Sequence, residues 1–86
     1  MTVWFYGNAL DYVNGKQSFE AQNSTSVREL IDELGGRFGE KFKEFLLGEG
    51  TCLFLVNGKG LMLTGGLDTR LQHGDQIEVL PFVVAG

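Results

Sequence analysis

Residues 26–36 read "SVRELIDELGG", and they hold the chain to a narrow set of folds. Ser26 and Glu29 stand three apart. At that spacing a serine oxygen accepts from the N3 amide of a new helix, while the glutamate reaches back to cover a second unpaired donor. Val27, Leu30, Ile31 and Leu34 then recur at i, i+3, i+4 and i+7, which lays a single apolar stripe along that helix. Gly35-Gly36 supplies the left-handed residue that commonly ends a helix, so the spacing predicts a stop there. A helix with one apolar stripe must cover it with another layer.

The flanking sequence supplies strands. "TVWFYG", residues 2–7, is rich in aromatic and β-branched residues. Asn14-Gly15 is the pair that most readily takes a tight hairpin turn, and "KQSFEAQ" returns with Gln17, Phe19 and Ala21 on one face and Ser18, Glu20 and Gln22 on the other. Phe38, Phe42, Phe45 and Leu46 repeat the helical spacing, but Gly39 interrupts them, which predicts a second short helix or an irregular helical turn. "TCLFLVNGKGLML" predicts a strand from Thr51 to Val56, a turn at Asn57-Gly58 and a returning strand through Leu61, Met62 and Leu63. Leu67 and Leu71 are core anchors in a polar, glycine-rich connection, and Gly74-Asp75 turns the chain into "QIEVLPF", where Ile77 and Val79 alternate with Gln76 and Glu78. That order predicts one α+β domain over residues 1–82, with the main helix on one face of a mixed four- to five-stranded sheet, and a flexible tail over 83–86.

Charge and composition remove whole classes of function. Eleven acidic against seven basic residues give a net charge of −4, which repels a phosphate backbone, so no nucleic-acid partner is expected. Cys52 is the only cysteine, which excludes an internal disulfide and a four-cysteine metal site and fits a reducing compartment. Neither a signal peptide nor an apolar run of bilayer length is visible, so the expectation is a cytoplasmic protein without a membrane partner. The thirteen glycines do not fall into a phosphate-loop spacing and read as turns and caps. His73 lies in a turn-like stretch and Cys52 in a strand beside Leu53 and Phe54, so neither has a catalytic companion. The chain is not expected to be an enzyme in its own right.

What remains is the end of the chain, "VLPFVVAG". An apolar terminus gains nothing unless another surface receives it. Glycine at the last position removes the Cβ that would collide with the walls of a narrow channel, which makes the Gly86 carboxylate the candidate reactive group.

Taken together, "STSVRELIDEL", "LVNG", "LDTRLQHGDQIEVLP" and the apolar tail ending in glycine resemble the small sulfur-carrier family of molybdopterin synthase small subunits and thiamin-pathway carriers, nearly end to end. The resemblance implies the ubiquitin-like β-grasp fold. It implies further that an E1-like activating enzyme, using ATP and Mg, adenylates the Gly86 carboxylate, and that a sulfur donor converts the mixed anhydride to a thiocarboxylate. The sulfur acceptor would be a molybdopterin synthase large subunit or its equivalent. Val83, Val84 and Ala85 match the tail positions that line the partner's channel, while Phe82 and Leu61, Met62 and Leu63 would supply apolar docking area. The carrier itself would bind no cofactor or metal and would be a monomer when free. The family typically ends in Gly-Gly, and this chain has Ala85 at the penultimate position. Two other uses of the same fold are a modifier joined to lysine through Gly86 and an interaction module whose tail is never activated.

Overall fold

The computed structural model describes residues 1–48 and 52–81. Its elements are β1 (Thr2–Phe5), a 3-10 turn (Gly7–Asp11), β2 (Ser18–Glu20), α1 (Val27–Phe38), α2 (Glu40–Leu47), β3 (Cys52–Val56), β4 (Lys59–Gly60), the one-turn helix α3 (Leu61–Thr64), a second 3-10 turn (Gly66–Asp68) and β5 (Gln76–Pro81). The strands form one mixed sheet in the order β2-β1-β5-β3-β4. β5 lies at the centre, parallel to β1 and antiparallel to β3. This is the α+β architecture that the main helix and the strand pattern predict, in the ubiquitin-like β-grasp arrangement that the resemblance implies.

Alternation along the strands sets the core face. Val3 and Phe5 from β1, Phe54 and Val56 from β3, and Ile77 and Val79 from β5 are all buried. Against them lie Val27, Leu30, Ile31 and Leu34 of α1, the predicted stripe, with Phe42, Phe45 and Leu46 of α2 beside it. Phe5 meets Phe38 and Phe42 edge-on, at ring centroid distances of 5.8 and 5.7 Å. Leu71 is buried and Leu67 packs partly against the same core, as the sequence predicts.

Three local predictions are corrected. First, α1 does not stop at Gly35-Gly36 but runs to Phe38 and ends at Gly39, whose φ is +115°. Gly35 is needed instead for packing: a Cβ there would stand 3.0 Å from Cβ of Lys43, so its missing side chain lets α2 lie close to α1. Second, Asn14 and Gly15 do take positive φ, but they do not form a two-residue hairpin. Ala9 and Val13 first turn down into the core, and only a longer connection through the 3-10 turn accommodates them. Third, Leu61 to Leu63 do not form a return strand. β4 ends at Gly60 and the chain winds into α3, closed by Gly65 at φ +119°. Leu61 packs against the core, while Met62 is 99% and Leu63 81% exposed.

Two turns fix the register of β5. Asn57, at φ +51°, accepts from the Gln76 amide through its side-chain oxygen at 2.9 Å and donates through Nδ2 to Asp75 at 3.1 Å. Asp75 also accepts from the Gln72 amide at 2.8 Å. The connection before β5 is tied to the start of α1 as well: the Val27 amide donates to Thr69 and the Leu71 amide to Thr25, both at 3.0 Å.

Candidate functional site

β5 carries the chain toward residues 82–86, so the end of that strand is where any use of the tail begins. Its last described residue, Pro81, pairs with Cys52, the first of β3. Proline has no N–H to extend a ladder, which makes it a residue of strand ends rather than strand middles. On the other side Gly7 lies against the proline ring; with φ +60°, it holds the bend after β1 that a side chain would strain. The Tyr6 amide donates to the Val79 carbonyl at 3.0 Å, so both neighbours of β5 grip its final residues. Of the sequence-predicted site residues, Phe82, Val83, Val84, Ala85 and Gly86 lie outside the described residues.

Among the described residues, no helix or turn packs over the face of the sheet turned away from α1 and α2. In-register partners share a face, so one row crosses it as Ser18, Trp4, Glu78, Leu55 and Gly60, and the next pairs Leu80 with Leu53. Tyr6, in extended geometry, continues the alternation from Trp4. Trp4, Tyr6 and Leu53 are 38%, 39% and 41% exposed, a large apolar exposure for side chains that would be buried on the opposite face. The Trp4 indole N–H donates to the Gln76 side-chain oxygen at 2.8 Å, which fixes the ring on the sheet.

A second apolar surface adjoins the first through Leu53. It is a groove of about 490 Å³ at the β3 edge, lined among others by Leu46, Leu47, Cys52, Leu53, Leu61 and Met62. The structure therefore brings Leu61 and Met62 to an accessible apolar site by way of a helical turn. Leu63 is exposed nearby in sequence but is not part of the groove lining. The Cys52 thiol faces back toward the carbonyls of Phe45 and Leu46, at 3.8 and 4.0 Å, as a packed side chain does. His73 is exposed in the turn before β5.

The sequence reading missed the open sheet face. Trp4, Leu53 and Leu80 sit in strands whose apolar residues point both ways, Tyr6 follows β1 directly, and alternation in one strand does not tell which side the helices cover. The signal available was the excess of aromatics in "TVWFYG", more than one buried face requires. Among the described residues no cluster of three or more His, Cys, Asp or Glu side chains could hold a metal ion, and no helix is long and apolar enough to cross a membrane.

The ThiS family model matches residues 3–86. Among solved structures, the chain is similar to one in the Amycolatopsis orientalis BexX/CysO complex, at 26% identity over 99% of this chain and 98% of that one, with a TM-score of 0.81. It is similar to a Pyrococcus furiosus chain assigned as molybdopterin converting factor, subunit 1, at 30% identity over 95% of each chain and a TM-score of 0.72. A third likeness is to the complex of subunits 1 and 2 of the molybdopterin-converting factor from Helicobacter pylori, at 26% identity over 99% of this chain and 96% of that one, with a TM-score of 0.64. No curated protein matches the chain in sequence.

Proposed function

Because the chain belongs to the ThiS family of ubiquitin-like sulfur carriers, we propose that it carries sulfur as a thiocarboxylate on Gly86, in the assembly of a molybdopterin or tungstopterin cofactor. The observation that carries this reading is the placement of β5: the strand leading to the tail is central and gripped on both sides, and it ends beside an uncovered apolar face. The folded body then acts as a handle for the reacting group, five residues on from Pro81 in sequence. The likeness to two molybdopterin-converting-factor subunits supports the choice of pathway.

In this reading the protein is a substrate and not a catalyst. A carboxylate is a poor acyl donor until a better leaving group is installed. An E1-like partner binds ATP and Mg, the Gly86 carboxylate oxygen attacks the α-phosphorus, and pyrophosphate leaves. Sulfur at the oxidation level of sulfide then attacks the acyl carbon, the carbon–oxygen bond to AMP breaks, and a thiocarboxylate remains. The five residues after Pro81 reach about 16 Å when extended, enough to carry that carbon from the sheet into a partner's site. Val83, Val84 and Ala85 line the channel, and Phe82 with Leu61, Met62 and Leu63 supplies apolar docking area. The Ala85 methyl requires a channel wider by one carbon than a Gly-Gly end would. The chemistry belongs in the cytoplasm, where thiols and thiocarboxylates persist.

Co-expression with the host's adenylating enzyme, followed by intact-mass measurement, tests the proposal. The expected product has one oxygen exchanged for sulfur at Gly86. An unchanged mass beside an active adenylating enzyme would rule it out, and lysine-linked adducts bearing the Gly86 remnant would identify a protein modifier instead.

A further inference from the structure

The open sheet face carries an acid where its surroundings are apolar. Glu78 is half-buried at the middle of the row that runs Trp4, Glu78, Leu55, with the indole in register on one side and a leucine on the other. Among the described residues its carboxylate has neither a hydrogen-bond partner nor a cation. The described strand positions on this face, Thr2, Trp4, Ser18, Glu20, Leu53, Leu55, Gly60, Gln76, Glu78 and Leu80, include no lysine or arginine. A carboxylate covered by an incoming apolar surface is destabilising unless that surface brings its own cation.

From this charge pattern we infer that the face docks a partner protein through an arginine set among apolar side chains, the guanidinium pairing with Glu78 and stacking on Trp4. Arginine fits where lysine does not. Its planar fork can grip both carboxylate oxygens while its face lies on an aromatic ring, and it gives up its hydration more readily than an ammonium does. The indole is already held in place by its bond to Gln76, so it needs no reorganisation to receive the cation. A second copy of this chain is the wrong occupant. A self-complementary contact across this face would oppose Glu78 and Glu20 with the same acids and supply no cation. The inference rests on the carrier reading only for the identity of the partner, which is the enzyme that receives the chain end.

Two measurements test it separately from that reading. In the first, isotope-labelled protein is titrated with capped Leu-Arg-Leu and capped Leu-Lys-Leu peptides and followed by NMR. The arginine peptide is expected to shift the Trp4 indole and the Leu55 and Glu78 amides at least threefold more than the lysine peptide, and Glu78→Gln to remove the difference. Equal responses to the two peptides, or shifts spread evenly over exposed acids such as Asp68 and Glu44, would overturn the inference. In the second, Glu78→Gln, with its melting temperature unchanged, is expected to raise the KM for loading by the adenylating enzyme about tenfold while kcat is retained. An unchanged KM would overturn it. Wild-type protein that is never loaded defeats the carrier reading, and the peptide titration then still decides the recognition of arginine.

Discussion

Gly7 lies so close to Pro81 that a methyl group in place of its α-hydrogen would stand 2.8 Å from Cγ and 3.0 Å from Cδ of the proline ring. The end of β1 and the end of β5 are thereby set against each other. Gly7→Ala should cost about 2–4 kcal/mol, combining the strain of a positive φ with overpacking against a ring that the sheet holds in place. Gly58, at φ +81° with open space around it, provides the comparison: Gly58→Ala should cost only about 1 kcal/mol. Urea midpoints at equal m-values measure both, and similar losses for the two variants would show that the proline contact contributes nothing.

Removing core volume and removing docking surface should have separable effects. Leu30 is fully buried, so Leu30→Ala should lose about 2–5 kcal/mol through the cavity it leaves. Leu53 is 41% exposed on the open face, so Leu53→Ser should stay within about 1 kcal/mol of wild type while lowering kcat/KM for loading tenfold or more. Thermal melts and loading rates on the same two proteins check this, and normal loading of the Leu53 variant would remove the sheet face from the reaction.

Acid should loosen the start of α1. The Thr25 backbone N–H and then its hydroxyl donate to the Glu29 carboxylate, each at 2.8 Å, and hold it below the ordinary glutamate value of 4.5; Arg70 adds to this. A lowered folded-state pKa contributes stability that is fully present above 4.5 and is lost as pH falls through the folded value. Glu29→Gln should therefore lower the melting temperature at neutral pH and flatten the acid side of its curve against pH, so that the two proteins converge as pH falls through the folded value. Because Ser26 caps the same turn, accepting from the Glu29 amide at 3.2 Å, Ser26→Ala should lower stability by about 1 kcal/mol at every pH.

Alkali should loosen the contact between α1 and α2. Lys43 donates to Asp32 at 2.7 Å, and that bond, with the attraction of the carboxylate, raises the ammonium above its ordinary value of 10.5. The stabilisation is complete below 10.5 and disappears as pH rises through the higher folded value. Asp32→Asn should remove this dependence, and a melting curve measured from pH 9 upward that matches wild type would show the pair to be without effect.

Gly86→Ala should leave the melting temperature within error of wild type and abolish sulfur loading. Intact mass after co-expression with the adenylating enzyme is the readout, and a loaded Gly86 variant would show that the channel does not require glycine at the last position.

The parts of this fold that were legible in sequence are those where local chemistry and burial agree. Ser26, Glu29 and the Leu30–Leu34 stripe specify a helix start and a buried face with no outside information, and the structure contains both. Asn57-Gly58 likewise forms its turn, because both residues take positive φ readily. Elsewhere tertiary contacts decided. Gly35-Gly36 has the local character of a stop, but the approach of Lys43 gives Gly35 a packing role and the helix continues. Leu61, Met62 and Leu63 have strand composition, but only Leu61 finds the core, and a turn of helix meets that demand where a strand would have placed Leu63 on the same side. The site was half legible. Composition drew attention to the tail, whereas the open sheet face emerges only when the cross-strand register sets Trp4 beside Glu78 and Leu53 beside Leu80.

The placement of β5 has a consequence for truncation. β5, the last of the described strands in sequence, is the one that joins β1 to β3, so a chain lacking it has two unconnected sheet fragments and a helix with too little to cover. Pairings between the first and last segments close late, after the long loop between them has been ordered. A chain cut before β5 is therefore expected to stay open and exposed to proteolysis.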